Sequence, residues 1–331
     1  MRPKVLMSHP PEILAQYFGE EPLAALRAVA AVTVNEVGRT MSEAELLAAT
    51  RGQDIVVLDR TTAGPPALFR SSPDLAAVCR VAVDIRNIDV TAASEAGVLV
   101  TRATPGFADA VAEWIVGVMI DLARGITRCT MVYRAGEEPT TLNGRQLSAS
   151  TVGIVGYGLI ARRLRSLLVP FGCSIVVSDP YVTPEPEGPE LVDIEDLLQR
   201  SNFVVCLAVA TEETENLFDA SRFGRMKRGA FFINASRGNL VDESGLANAL
   251  AAGLLAGAAL DVGRAPDQRP SAWLAARPDV IATPHTAGNT PEAVVHQARD
   301  VVRQVSALSR GEVPDGAVNL DSWSRRALLK G

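Results

Sequence analysis

Along the first hundred residues, short runs of aliphatic and β-branched side chains alternate with stretches whose apolar positions recur at helical spacing. Residues 5–7, 32–34 and 54–58 read as strands, and residues 13–29 and 42–49 as helices. Ser42 stands just before the second helix with Glu45 three residues on, which predicts a capping box. From Thr151 the same rhythm restarts, with strands expected at 152–155, 174–178, 203–207, 230–234, 258–262 and 280–282. A last helix should run from Pro291 to about Arg310. Strands alternating with helices predict parallel sheets covered on both faces, and two successive runs predict two doubly wound α/β domains.

Between the runs, Thr104-Pro105-Gly106 breaks the pattern and residues 108–124 form a long helix that is apolar on most faces. Glu113 and Asp121 interrupt its apolar stretch, which is too short to span a bilayer. A helix apolar almost all round is covered on more than one side; a second subunit is the expected cover, giving a homodimer with this helix and residues 134–150 at its centre. The polar stretch 134–150 should be an extended loop.

Composition narrows the function classes. The 331 residues are 47% hydrophobic and 21% charged, as in ordinary globular proteins. A net charge of −6, with no lysine or arginine run, argues against nucleic acid or an anionic membrane as partner. Cys79, Cys129, Cys173 and Cys206 lie far apart without a CxxC pair, so buried, reduced thiols are expected rather than a metal site or disulfides. The first twenty residues lack an apolar core of signal-peptide length, and a cytoplasmic location is expected.

The chemistry concentrates after the restart. Gly156-Tyr157-Gly158-Leu159-Ile160-Ala161 follows a strand and opens a helix. In such a turn the first glycine permits the tight bend, the second lets the backbone approach a pyrophosphate at the helix N-terminus, and the third position must be small for packing. Asp179 ends the next strand, where its carboxylate can accept from a ribose 2′-hydroxyl and repel a 2′-phosphate; NAD is therefore expected over NADP. Three further segments should follow strand ends: Asn234-Ala235-Ser236-Arg237-Gly238, Leu260-Asp261-Val262, and Thr283-Pro284-His285-Thr286-Ala287-Gly288. A guanidinium at the ligand edge can grip both oxygens of a carboxylate, and a histidine after a Thr-Pro step suits acid/base work. Taken singly, Arg237 also fits a surface ion pair and His285 a packed loop histidine.

In order, GxGxxA, SDPY, NASRG, GAALDV and TPHTAG resemble the D-isomer-specific 2-hydroxyacid dehydrogenases, from RNIDV at Arg86–Val90 through Asn319. The resemblance implies a Rossmann nucleotide domain, residues 102–287, inserted into a flavodoxin-like substrate domain made of 1–101 and 288–331. It implies an NAD-dependent interconversion of a 2-hydroxy acid and its 2-oxo acid, with Arg237 anchoring the carboxylate and His285 as acid/base. Cofactor contacts are implied for Gly156, Gly158, Leu159, Ile160, Asp179, Thr211, Ala235, Arg237, Asp261, His285 and Gly288, with Asp261 orienting the nicotinamide carboxamide.

The chain departs from the family in the substrate half. The glutamate that usually partners the histidine is missing from Asp261-Val262-Gly263-Arg264-Ala265-Pro266-Asp267, where Asp267 is the nearest acid. The substrate loop, usually GxGxDN, reads Ala82-Val83-Asp84-Ile85-Arg86-Asn87, with Asp84 where an anion is expected; Arg86 either neutralises Asp84 or takes over the anion. The family's asparagine is absent after Thr104-Pro105-Gly106, and Leu207–Thr211 replaces an HLPLT-like run. An NAD(H)-sensing regulatory protein of the same fold therefore stands as the alternative.

Overall fold

The computed structural model describes residues 2–141 and 143–330. The chain opens with β1 (Lys4–Met7), α1 (Pro11–Tyr17), α2 (Glu20–Val29), β2 (Ala31–Val34), α3 (Glu43–Thr50), β3 (Ile55–Leu58), α4 (Pro66–Ser71), β4 (Ala77–Arg80), α5 (Val90–Glu95) and β5 (Leu99–Arg102). The five strands are all parallel, in the order β2-β1-β3-β4-β5. Successive side chains of a strand face opposite sides. Val5 and Met7 accordingly join one apolar layer and Leu6 the other. All of β3 is buried because both of its faces are covered. Ser42 and Glu45 form the capping box that their spacing predicts.

The helix expected over residues 13–29 is two helices. Gly19 between them has φ 87°, a left-handed conformation that no other residue adopts so cheaply, and the chain turns there.

There follow α6 (Ala108–Arg124), α7 (Ile126–Arg134), β6 (Thr151–Val155), α8 (Leu159–Leu168), β7 (Ser174–Ser178), β8 (Glu190–Leu191), α9 (Ile194–Arg200), β9 (Phe203–Cys206), α10 (Ala220–Arg225), β10 (Ala230–Asn234), α11 (Glu243–Ala251), β11 (Leu255–Leu260), α12 (Ala272–Ala275) and β12 (Val280–Ala282). The seven strands are again parallel, in the order β12-β11-β10-β9-β6-β7-β8. Strand order therefore reverses at β6, and the crevice between the C-terminal ends of β6 and β9 is the switch point where open α/β sheets take ligands. On one face Phe218, Phe223 and Phe232 pack ring to ring, with centroids 4.8 to 6.1 Å apart. On the other, Val152 and Ile154 pack under α6 and α8.

Two expectations shift here. β11 begins at Leu255, earlier than expected, because its LAGAAL sequence lacks the β-branched residues that mark a strand. α7 follows α6 across Gly125 (φ 62°), just ahead of the stretch read as a loop.

The chain closes with α13 (Pro291–Ser309), which packs against the first sheet's layer through Val301, Val305 and Leu308. The molecule divides into two compact units, one up to Gly106 and again from Thr290, the other Phe107–Asn289. Among the described residues no helix is long and apolar enough to cross a membrane, and no cluster of His, Cys, Asp or Glu could hold a metal ion. All four cysteines are unpaired; Cys79 and Cys206 are buried, whereas Cys129 and Cys173 are only half-buried.

Candidate functional site

The turn after β6 is shaped by close backbone approach. Gly156 has φ 90°, and a Cβ there would lie 2.6 Å from the backbone of Ala208, across the switch point. Its N–H donates to Ser178 O at 2.9 Å, while Leu207 N–H donates to Val155 O at 2.8 Å. Gly158 differs: a Cβ there would meet no protein atom within 4 Å, so the space beside it is open. It is also the N-cap of α8, and no side chain caps that helix. The first-turn N–H groups at this end thus face a gap that a phosphate can enter. Ala161 is buried in the apolar layer beneath this turn, as its small side chain suits. Asp179 leaves β7 beside this turn; its Oδ2 accepts from Tyr157 N–H at 2.7 Å and its Oδ1 from Tyr181 N–H at 2.9 Å. Each oxygen keeps a further lone pair for a ribose hydroxyl.

The next three strand ends interlock on the same edge. Asn234, buried at the end of β10, accepts from Ser236 N–H at 3.1 Å and donates to Arg237 O at 2.9 Å, folding Asn234–Arg237 into a turn. Ser236 Oγ donates to Ala208 O at 2.6 Å, tying this turn to the one after β9. Arg237 is exposed, its Nη1 donating to Ser236 O at 2.7 Å. A Cβ on Gly238 would stand 2.0 Å from Gly263 O, so the loops after β10 and β11 pack backbone against backbone. Ala235 and Gly288 are half-buried, Leu159 is exposed, Ile160 is half-buried, and Thr211 lies exposed in the loop after β9 with its N–H donating to Thr214 Oγ1 at 2.8 Å.

Asp261 is buried at the end of β11, and both its oxygens are engaged. Oδ1 accepts from Thr283 Oγ1 at 2.6 Å, Thr286 N–H at 2.8 Å and Ala287 N–H at 3.0 Å; Oδ2 accepts from Ala287 N–H at 3.0 Å. Asp261 thereby organises the following turn, a use that its place in the Leu260-Asp261-Val262 segment does not announce. His285 sits in that turn, exposed, with its N–H donating to Asp261 O at 2.8 Å and Thr283 O at 2.9 Å. Its φ is 58°, a left-handed conformation uncommon outside glycine. Its Nδ1 lies 3.1 Å from the main-chain oxygen of Asp267, so that residue contributes a carbonyl to the histidine rather than a carboxylate.

In the other unit, Ala82, Val83, Asp84 and Arg86 follow β4. Ala82 is buried and Val83 half-buried; Arg86 Nη2 meets Asp84 Oδ2 at 2.6 Å, and its Nε lies 3.0 Å from both carboxylate oxygens. Of the two alternatives for Arg86, the structure takes neutralisation of Asp84. At the same sheet edge, unremarked in the sequence, burial pushes His9 from its ordinary 6.5 to about 4, against Asp59 and with Arg80. His9 is thus a neutral group in a charged surround, a feature that only the packed fold reveals.

Residues 116–287 match the D-isomer specific 2-hydroxyacid dehydrogenase, NAD binding domain. The chain belongs to the D-isomer specific 2-hydroxyacid dehydrogenase family. It is 32% identical over 302 residues to a D-3-phosphoglycerate dehydrogenase of Methanocaldococcus jannaschii, covering 89% of this chain and 57% of that protein. The chain therefore spans little more than half the length of such relatives. To a glyoxylate reductase of Thermofilum pendens it is 31% identical, covering 98% of each. The fold resembles that of a D-lactate dehydrogenase with NAD+ from Lactobacillus jensenii, with a TM-score of 0.83 at 23% identity over 95% of this chain and 99% of that one. The unit Phe107–Asn289 thus carries the family's NAD-binding domain.

The two glycines of the turn should respond differently to a methyl group. Gly156→Ala forces a clash and a left-handed alanine, and should cost about 1–3 kcal/mol of stability together with NADH affinity. Gly158→Ala touches no protein atom; its melting temperature should match the parent while NADH affinity falls by roughly ten-fold or more. A parental NADH affinity in Gly158→Ala, measured by titration calorimetry, would refute this assignment of the gap.

Proposed function

We propose that the protein is an NAD-dependent oxidoreductase that interconverts a 2-hydroxy acid and its 2-oxo acid. The observation that carries this is the presentation of Arg237 and His285, from β10 and β12, on the sheet edge that bears the Gly156–Ala161 turn. The residues fit the cofactor: Gly158 leaves room for a pyrophosphate at the uncapped end of α8, and Asp179 offers lone pairs to a ribose while disfavouring a 2′-phosphate. When bound, NAD(H) supplies or takes up the hydride exchanged with the substrate's C2. Arg237 holds the substrate carboxylate through paired N–H···O bonds and polarises the 2-oxo oxygen. His285 gives that oxygen a proton from Nε2 on reduction and takes it from the hydroxyl on oxidation. Leu159, Ile160, Thr211, Ala235 and Gly288 complete the cofactor side; within the five-stranded unit, Ala82, Val83, Asp84 and Arg86 are read as substrate residues, with the Asp84–Arg86 pair leaving little net charge there. The five-stranded unit is read as the substrate domain.

One observation favours a second reading. His285 faces a neutral carbonyl where a carboxylate would stabilise the imidazolium, which suits an NAD(H)-sensing protein with little turnover. NADH oxidation against a panel of 2-oxo acids separates the two, and the same panel with NADPH tests Asp179. We expect turnover with NADH for at least one acid. His285→Asn should cut it by roughly 10² or more while leaving NADH affinity within about two-fold. Parental turnover in His285→Asn would remove the acid/base role; no turnover with any acid in the parent would favour sensing.

We further infer a homodimer, though not from the helix that first suggested it. No apolar side chain of α6 is exposed: Val111, Ile115, Val118 and Met119 are buried, and Trp114 and Val116 pack against the same core. Exposed apolar residues stand elsewhere too, Tyr181 and Val209 among them, but α7 carries three on one short helix, Ile126, Met131 and Tyr133, at 53%, 58% and 65% exposed. Apolar surface of this kind seeks a partner. Four unpaired thiols suit a reducing, cytoplasmic setting. Light scattering should give a dimer at micromolar protein and a shift toward monomer in Met131→Asp; a monomeric parent would contradict it.

A further inference from the structure

Among the described residues only four other than glycine have positive φ: Asn216 (52°), Asp267 (59°), Gln268 (57°) and His285 (58°). All four belong to one network. Each such conformation costs energy, and persists where the surroundings over-determine it. Here the surroundings are the loop after β11. Gly263 N–H donates to Gln268 O at 2.9 Å and Ala265 N–H to Arg269 O at 3.0 Å, closing the loop on itself. Gly263 can have no side chain, since a Cβ would lie 2.5 Å from Pro270 Cα. Arg264 anchors the loop from outside. Its N–H donates to Glu243 Oε1 at 3.0 Å, its Nε to Val241 O at 3.0 Å, and its Nη2 to Asn216 Oδ1 at 2.6 Å, Glu215 Oε1 at 2.8 Å and Asn239 O at 2.9 Å. Within this frame the left-handed pair Asp267–Gln268 turns the Asp267 carbonyl toward His285 Nδ1, and His285 itself is left-handed to receive it.

We propose that the Asp267–Gln268 turn is a positioning device: its main-chain carbonyl, not a side-chain acid, holds His285 in the Nδ1–H tautomer and leaves Nε2 to exchange the substrate's proton. A carbonyl oxygen only accepts, so the atom facing it must carry the proton, and the neutral ring then has its lone pair on Nε2. The Asp267 side chain has no part in this. Asp267 is required for its φ, which aspartate tolerates better than most residues, and any residue at ease in that region can replace it. A carboxylate behind the ring would fix the same tautomer but would add charge stabilisation of the imidazolium; a carbonyl supplies the orientation with much less of that stabilisation. This inference rests on the reading of His285 as the acid/base group, but its geometry can be tested without any substrate.

The test is long-range proton–nitrogen NMR on uniformly 15N-labelled full-length protein at alkaline pH, with no cofactor or acid added. The chain has three histidines, and the His285 signals are those lost in His285→Asn. An unconstrained neutral imidazole favours the Nε2–H form, so a merely exposed His285 would show that pattern. The expected result is the Nδ1–H pattern in the parent, kept in Asp267→Asn and Asp267→Gly, which retain access to positive φ. In Asp267→Pro, whose ring forbids that φ, the signal should move toward Nε2–H. An Nε2–H pattern in the parent overturns the proposal, as does a change of tautomer in Asp267→Asn, which would make the carboxylate the partner. Should Asp267→Pro not fold, the other arms still decide. Nδ1–H with no turnover of any acid leaves the device standing and removes the dehydrogenase reading; turnover with Nε2–H does the reverse.

Discussion

Burying a carboxylate is costly unless donors surround it, and Asp261 is surrounded by the residues that it positions. Its oxygens take the Thr283 hydroxyl and the N–H groups of Thr286 and Ala287, while its own main-chain oxygen takes the N–H of His285. Charge-assisted bonds of this kind offset the desolvation of the acid and satisfy the N–H groups of Thr286 and Ala287. The turn after β12 has no regular structure of its own, so its conformation, including the left-handed His285, depends on this one group.

The rest of the edge follows the same logic of backbone fixed by backbone. Gly156 sits against Ala208, Ser236 reaches Ala208 from the next turn, and Gly238 sits against Gly263. Four successive loops are thereby locked to one another before any ligand arrives. A parallel sheet supplies the strand ends, and the small residues let the loops approach closely enough to act as one rigid rim. Arg237 and His285 protrude from that rim, exposed, whereas Asn234 and Asp261, which order their turns, are buried.

Much of this was legible in the sequence because it depends on local pattern. Alternating strands and helices gave both sheets, Ser42 and Glu45 gave a cap, and Gly156 to Ala161 with Asp179 gave the nucleotide turn. What stayed hidden depends on contacts across the fold. Nothing in GRAPDQ announces that Asp267 and Gln268 are left-handed, since that conformation is imposed by Arg264 and by partners some 20 to 50 residues earlier in the chain. The resemblance implies a cofactor contact for Asp261, but its four acceptor contacts within the turn are visible only once β11 and β12 are paired. The apolar run of α6 suggested a second subunit, yet α8 and the sheet cover it, while α7, just ahead of the stretch read as a loop, carries three exposed apolar side chains.

If His285 is the acid/base group, Asp261 acts on turnover only through the turn in which it holds His285, and a double-mutant cycle tests this most directly. Turnover per KM would be measured for the parent, Asp261→Asn, His285→Asn and the double variant, with NADH affinity followed alongside. The account predicts that Asp261→Asn is costly in the parent, by roughly ten-fold or more, and nearly without effect once His285 is gone. Independent losses that multiply in the double variant would contradict it.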